Sequence, residues 1–543
     1  MVEKVMVDLN PQHMIEEIQD NIKTGDAMKT RLVLAHIGDV DKKIQNRLIY
    51  ELTRGEVSFS IPQLLYLLHE HAELAATLPI IKETLISQLL AYPELLSDFL
   101  ANPKISGKHY LIQIAGELRS DDTTQALMEL IAQSHDEAEI KLILETLGLI
   151  GDPEAINLLT DYLYAANRDL IIAAIHALGQ VGTPSAMHRL AERMGTDNEI
   201  DFMILSIFAD VQDQVSLEKL NETLRSHYAH MRIYAKQEIV RIGAKAVPNL
   251  IENLLHEDPD FQIHTLNVLG EIGDESAIMP IRKLLGRDPK SANVRFAAYE
   301  ALALLPLRKG AYTLTAGLTD KEDHVCIAAA RAIDRNYSEI LMAGIKNLLM
   351  EKDDDARHIT KIVVNGQVDK IFMSVADEPY FQEMAMVYLP HAHQDIRHHY
   401  HVLLKQAGLD DFAAKLAGNN EVVGRRKVMA VDDSRMILNI YKATLHELNY
   451  EPVLFEFPAS ALEWLAKEKP AMVLTDLNMP EITGVQLTAK IRERYSATEL
   501  PVIMVTTQNE VQDNKAALAA GVNKIIQKPF NAESLKAAMD EFI

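Results

Sequence analysis

Leu147-Gly148-Leu149-Ile150-Gly151-Asp152-Pro153 returns as Leu178-Gly179-Gln180-Val181-Gly182-Thr183-Pro184 and again as Leu269-Gly270-Glu271-Ile272-Gly273-Asp274, with a degenerate copy at Val240-Arg241-Ile242-Gly243. The final glycines stand at 151, 182, 243 and 273; the steps are 31, 61 and 30, and the long step is two units with Asp213 near the missing position. A period of this length marks a repeat architecture. The glycine ending each unit can adopt the left-handed conformation that closes a helix, and Asp152 or Thr183 before Pro153 or Pro184 reads as the N-cap of the next helix. Apolar residues fall at helical spacing, Ile140, Ile143, Leu144 and Leu147 on one helix and Ile156, Leu159 and Leu163 on its partner. One such hairpin cannot bury its stripe, whereas stacked neighbours bury a continuous core. The expectation is an all-α solenoid with an extended concave binding face.

The motif at 147 to 155, with Asn293-Val294-Arg295 in a later unit, resembles the HEAT repeat family over about residues 105 to 340. That resemblance implies a protein-binding scaffold and, in some branches, chromophore lyases or hydroxylases. Outside this window the repeats blur. Residues 1 to 104 read as further helices capping the stack, with Ile80, Ile81, Leu85 and Leu89 as one stripe, and 341 to 417 read as a C-terminal helical cap. Gly418-Asn419-Asn420-Glu421 and Gly424-Arg425-Arg426 then form a polar hinge over 418 to 426.

From Lys427 to Ile543 apolar runs alternate with amphipathic segments, the pattern of a doubly wound parallel α/β sheet. The strands read Val428 to Val431, Pro452 to Phe455, Met472 to Thr475, Val502 to Thr506 and Lys524 to Gln527, and the first helix sets Met436, Ile437, Ile440, Tyr441 and Leu448 along one side. Ligands of such sheets bind beyond the carboxyl ends of the strands. Here those ends carry Asp432-Asp433, Asp476, Thr506-Thr507 and Lys528-Pro529-Phe530. Three carboxylates brought together repel one another unless a cation sits among them. Mg2+ is the natural choice, since it takes oxygen ligands, keeps several waters and couples carboxylates to a phosphoryl group. A carboxylate beside a metal and a lysine can act as a nucleophile toward phosphorus.

Val431-Asp432-Asp433-Ser434, Asp476-Leu477-Asn478-Met479-Pro480-Glu481-Ile482-Thr483-Gly484, Met504-Val505-Thr506-Thr507 and Lys528-Pro529-Phe530 resemble the motifs of response-regulator receiver domains, over residues 427 to 543. The resemblance implies that Asp476 is the phosphoacceptor, and that Asp432 and Asp433 hold Mg2+ with a carboxylate oxygen of Asp476 and the backbone carbonyl of Asn478. It further implies that Thr506 bonds the phosphoryl group, that Lys528 pairs with it, and that Asn478 and Gln508 tune its hydrolysis. Small Thr507 fits an open path to the phosphate, and Lys528-Pro529 matches the family's usual cis peptide. Two departures stand out. Ile525 occupies the place of the family's switch aromatic, and Thr483 stands where many relatives carry Asp or Asn.

The composition narrows the function. Lys plus Arg number 54 against 78 for Asp plus Glu, a net charge of -24 that repels nucleic acid and anionic membrane surfaces. The length of 543 residues implies several domains, and a single cysteine, Cys326, excludes an intrachain disulfide and a cysteine-rich zinc site. No apolar stretch is long enough to span a membrane and the first residues are charged, so the expected location is the cytoplasm. His391, His393, His398, His399 and His401 form a cluster that reads as a solvated helix end rather than a metal site. Cys326 reads as a buried small hydrophobe and Asp353-Asp354-Asp355 as a solvated turn.

Together these readings give a two-component phosphorelay response regulator, not an enzyme beyond its own phosphorylation and dephosphorylation. Its receiver takes a phosphoryl group from a sensor histidine kinase or phosphotransfer protein and controls protein binding by the solenoid. The alternative is a lyase-like or hydroxylase-like HEAT enzyme regulated by the receiver. A third reading makes the receiver a phosphate sink.

Overall fold

The computed structural model describes residues 10–226, 228–307, 311–392, 394–416, 425–477, 479, 482–506, 511–528, 530 and 532–542. The chain divides into two compact units, residues 1–216 and 217–543. Among the described residues all regular elements of the first unit are helical, and the second unit adds a parallel sheet to its helices. No described helix is long and apolar enough to cross a membrane.

In the first unit the repeat punctuation works as the glycines predict. Helix Glu137–Ile150 stops at Gly151, φ 78°, whose N–H returns to the Leu147 carbonyl, and Arg168–Val181 stops in the same way at Gly182. Thr183 caps Pro184–Arg193 by accepting from the Ala186 N–H at 3.3 Å. Asp152 instead caps a single 3-10 turn, Pro153–Ala155, that leads into helix Ile156–Tyr162. Where the sequence lacks a glycine, Asn198–Val211 ends at Gln212, which holds φ 53° and donates its N–H to the Phe208 carbonyl. The left-handed stop is therefore kept one residue before Asp213, which accepts from the Ser216 N–H at 2.8 Å.

The other glycine of each motif has a different task. A Cβ on Gly148 would stand 2.6 Å from the Ala177 Cα, and one on Gly179 would stand 2.8 Å from Ile207 Cγ2. In the second unit, a Cβ on Gly270 would meet the Ala301 Cα at 3.0 Å. Each of these helices is thus notched to let the next repeat approach its backbone. The apolar stripes fill the space between, with Ile143, Leu144, Leu147, Leu159 and Leu163 wholly buried, as are Ile81, Leu85 and Leu89 nearer the N-terminus.

Polar contacts also tie repeats of the second unit together. The amides of Asn221 and Asn253 exchange hydrogen bonds of 2.9 and 2.6 Å. Arg295, from the HEAT-like motif, forks onto Asp320 at 2.7 and 2.9 Å and donates to the Pro289 carbonyl. Both side chains of that ion pair are nearly buried.

The sheet of the second unit comprises β1 (Lys427–Val431), β2 (Glu451–Phe455), β3 (Met472–Thr475), β4 (Val502–Thr506) and β5 (Lys524–Gln527), all parallel, in the order β2-β1-β3-β4-β5. β1, β3 and β4 are almost wholly buried, as expected of central strands covered on both faces. One face packs Val428, Ala430, Leu474, Ile503 and Val505 against Tyr441, Leu445 and Leu535; the other packs Met429, Val431 and Val473 against Leu465, Leu487 and Ile491. The side chain of Met436, residue 417 and most of the hinge, residues 418–424, lie outside the described residues.

Candidate phosphoryl-acceptor site

The hydrogen-bond ladder continues past the strand ends and carries the polar residues into register. The Asp432 N–H donates to the Phe455 carbonyl at 3.1 Å, the Asp476 N–H to the Val431 carbonyl at 3.0 Å, and the Lys528 N–H to the Thr506 carbonyl at 2.8 Å. β1, β3, β4 and β5 thus deliver their terminal residues to one edge. There the Lys528 ammonium bridges two carboxylates, 2.7 Å from Asp432 Oδ2 and 2.8 Å from Asp476 Oδ1. The pairs are largely withdrawn from water, with Lys528 7% and Asp432 1% exposed.

Burial and crowding set the electrostatics. Burial first, then repulsion from Asp476 and Asp433, pushes the Asp432 carboxyl up to about 7 against the pull of Lys528. Burial and Asp476 likewise push Asp433 up to about 6. Burial by itself would lower the Lys528 ammonium, but Asp432 and Asp476 hold it well above its ordinary value. The cluster therefore holds more negative charge than its one lysine balances.

Neighbouring elements fix the shape of the site. Ser434 caps helix Arg435–Glu447 and donates its own N–H to Asp432 Oδ1 at 3.0 Å, orienting that carboxylate. Thr506 is buried at the end of β4. Thr483 and Gln486 form a reciprocal capping box at the start of helix Gly484–Arg492. The departure at Thr483 is thereby explained, since Thr, Asp and Asn all make N-caps. Gly484, the last residue of the same motif, closes the loop back on Asp476. Its N–H donates to the Leu477 carbonyl at 2.9 Å and its Cα lies against the Asp476 carbonyl, leaving no room for a side chain. Tyr441, stacked on Phe530 with ring centroids 4.9 Å apart, is wholly buried, and its hydroxyl has no hydrogen-bond partner among the described residues. Ile525 packs half-buried against Leu477, Met504, Ala517 and Val522, so the place of the switch aromatic is part of an aliphatic cluster.

The oxygen donors suit Mg2+ in chemistry: two carboxyls that burial and then crowding drive toward protonation would be relieved by a divalent cation. Among the described residues, however, no three acidic, His or Cys side chains already converge as a coordination sphere. Asn478, Thr507, Gln508 and Pro529 lie outside the described residues, as does His393. The remaining histidines do not assemble a site either. His399 Nε2 pairs with Asp369 Oδ1 at 2.8 Å and His401 Nδ1 faces the Ala413 carbonyl at 3.0 Å. Asp353 is the N-cap of helix Asp354–Asn365. Cys326 is buried, its thiol pushed up to about 12 by burial and then by Asp320 and Asp323, so it is no nucleophile.

A five-stranded parallel sheet thus presents two aspartates, a third aspartate, a threonine and a lysine at the ends of its strands, the fold and site of a receiver-like domain. Comparison with known proteins gives the same class. The model of the response regulator receiver domain matches residues 428–540, and that of HEAT repeats matches 93–172, 141–207 and 247–334. The chemotaxis protein CheY homolog of Campylobacter jejuni is 39% identical over 22% of this chain and 92% of its own length. CheY1 of Helicobacter pylori is 40% identical over 21% of this chain and 94% of its own. A solved structure of the chemotaxis response regulator CheY4 of Vibrio cholerae aligns at 28% identity and a TM-score of 0.21, covering 22% of this chain and 99% of that one. The chain belongs to the response-regulator receiver family through its C-terminal domain, and it carries HEAT repeats in its N-terminal region.

Proposed function

We propose that this response regulator accepts a phosphoryl group on Asp476, with Mg2+, and that the acyl phosphate controls protein binding by the HEAT-like repeats. The Lys528 ammonium bridging Asp432 and Asp476 at the strand ends carries this reading. A carboxylate oxygen of Asp476 attacks the phosphorus of a phosphohistidine on a kinase or phosphotransfer protein. The P–N bond breaks, the imidazole leaves with the electron pair, and an acyl phosphate forms; water later cleaves it and restores the carboxylate. Mg2+, when bound, neutralises charge on the transferring phosphoryl oxygens. Asp432 and Asp433 would hold it, with Asp476 and the Asn478 carbonyl completing the set.

Lys528 is placed to follow the charge from the Asp476 carboxylate to the new phosphoryl oxygens, and the Thr506 hydroxyl to donate to one of them. Residues 105 to 340 would be the repeat stack, flanked by helical caps at 1 to 104 and 341 to 417, and 427 to 543 the receiver beyond a hinge at 418 to 426. The chain would then act through protein contact, with no catalysis beyond its own phosphorylation and dephosphorylation. The test is incorporation of phosphate from acetyl phosphate into the full chain, resolved on a phosphate-affinity gel. Wild type should shift only with Mg2+ and Asp476→Asn should not shift; a shift retained in Asp476→Asn would reject the assignment.

A further inference from the structure

Within the second unit the receiver is seated on repeat helices. Asn293, on helix Ala292–Leu304, and His324, on helix Asp323–Arg335, form one wall of a crevice whose other wall is Ile437, Ile440, Lys528 and Phe530 of the receiver. The crevice has room for about 10 Å³, no more than a single water needs, so the walls stand too close for a layer of solvent. Both walls are backed. The Phe530 ring stacks on buried Tyr441 with 4.9 Å between centroids, and the His324 ring lies 5.8 Å from that of buried Phe296. Lys442, on the same receiver helix as Ile437 and Ile440, reaches the repeats as well, its Nζ donating to Gln367 Oε1 at 3.3 Å.

The crevice borders the candidate phosphoryl-acceptor site. Lys528 is at once part of its wall and the cation that bridges Asp432 at 2.7 Å and Asp476 at 2.8 Å. The Asp476 side chain is itself only 11% exposed. Transfer to Asp476 brings the donor's phosphorus to about 3–3.5 Å from the attacking oxygen, so a donor carried on a protein must lay its own surface on the edge where the strands end. Even a transient protein contact occupies roughly 600 Å² of each partner, and the repeats already stand on part of that edge. A donor as small as acetyl phosphate needs a path only for itself.

We infer that the repeats gate the receiver by size: with helix Arg435–Glu447 seated on them, small phosphoryl donors reach Asp476, whereas a protein-borne phosphohistidine reaches it only after the receiver has come away. The inference rests on the reading of Asp476 as the phosphoacceptor. The contact is of a kind that opens. His324 Nε2 is buried with no hydrogen-bond partner among the described residues, and an unpaired polar atom weakens a dry contact. The Lys442 clasp is one hydrogen bond at the long end of the range. The apparent affinity of a protein donor is then its intrinsic affinity reduced by the fraction of chains that are undocked.

The experiment reads access to position 476 by size. In the full chain carrying Asp476→Cys, the thiol is labelled with N-ethylmaleimide and, separately, with a maleimide held by a short linker on serum albumin. Native Cys326 is buried, its thiol pushed up to about 12, and stays silent. Added to this background, Asn293→Arg drives a bulky cation into the crevice opposite Lys528. Gln367→Gly instead removes the clasp away from the site, and glycine suits the φ of 51° at that position. Labelling by the albumin reagent should rise about tenfold or more in Asn293→Arg, as for an open form populated at a tenth or less, and should rise in Gln367→Gly too. Labelling by N-ethylmaleimide should stay nearly the same in both, and Asn293→Ser, which adds no bulk, should match its parent. Gln367→Gly decides alone if Asn293→Arg does not fold. Albumin labelling unchanged in both variants overturns the gate, as does a rise shared equally by the two reagents, which would report only an altered thiol. Wild type that takes no phosphate from acetyl phosphate instead overturns the acceptor reading, and the donor preference with it, even where the labelling behaves as expected.

Discussion

Gly484 lies against the carbonyl of Asp476 so closely that the first carbon of any side chain would collide with it. The helix that follows β3 can begin only because residue 484 has no Cβ, and the same contact fixes the backbone carrying the candidate phosphoacceptor. Gly484→Ala should force the Asp476 loop to shift, at about 1–3 kcal/mol as for other overpacked sites. Urea unfolding of the full chain should show that loss, and phosphate uptake from acetyl phosphate should fall with it. Unchanged uptake in the folded variant would mean that the loop tolerates displacement.

Lys528→Met should leave Asp432 and Asp476 facing each other without their shared cation. Removing one partner from a buried ionic cluster costs about 3–5 kcal/mol. The loss should be largest at pH 8 and smaller near pH 5, where Asp432 and Asp433, raised to about 7 and about 6, take up protons. Denaturant midpoints at the two pH values check the sign.

Arg295→Ala should cost about 3–5 kcal/mol, because Asp320 would remain buried and unpaired. The double variant Arg295→Met with Asp320→Leu should recover most of that loss, since an apolar pair of similar volume replaces two desolvated charges. Unfolding of the single and double variants decides whether the pair stabilises the stack or only satisfies itself.

His264 gives the repeats a dependence on pH. Burial, with Arg232 and Lys236 adding repulsion, draws its imidazole down to about 4 from an ordinary 6.5. A base depressed on folding is neutral in both states above about pH 6.5, so its contribution to stability is complete there. Below that pH the unfolded chain takes up a proton that the folded chain refuses, and stability falls until the pH reaches the folded value. The loss should approach roughly 2–3 kcal/mol at pH 4. His264→Gln should flatten that part of the pH–stability curve, as thermal or urea unfolding between pH 4 and 7 would show.

Most of this architecture is legible in the residues because each part has a local cause. Buried parallel strands are short apolar runs, and their ends are where the polar residues stand, so Asp432, Asp476, Thr506 and Lys528 could be placed on one edge from periodicity alone. Gly151, Gly182 and Gly273 announce their helix ends for the same reason. What escaped has a different origin. Gln212 closes its helix in a conformation that a glutamine adopts only under the constraint of its neighbours, so no residue type signalled it. Gly484 is recognisable as a motif glycine, but its contact with Asp476 depends on how tightly the loop folds back.

The notched glycines give the repeat array a direction. Gly148 is filled by Ala177, Gly179 by Ile207 and Gly270 by Ala301, in every case by the repeat that comes later in the chain. A repeat therefore waits on its successor to close its bare backbone, while the successor carries its own notch onward. Cutting such an array from the C-terminal side exposes an open notch at each new end, whereas cutting from the N-terminal side removes notch and filler in turn. Fraying should accordingly be unequal at the two ends, and a chain emerging from the ribosome would complete each repeat only after the next one had been made.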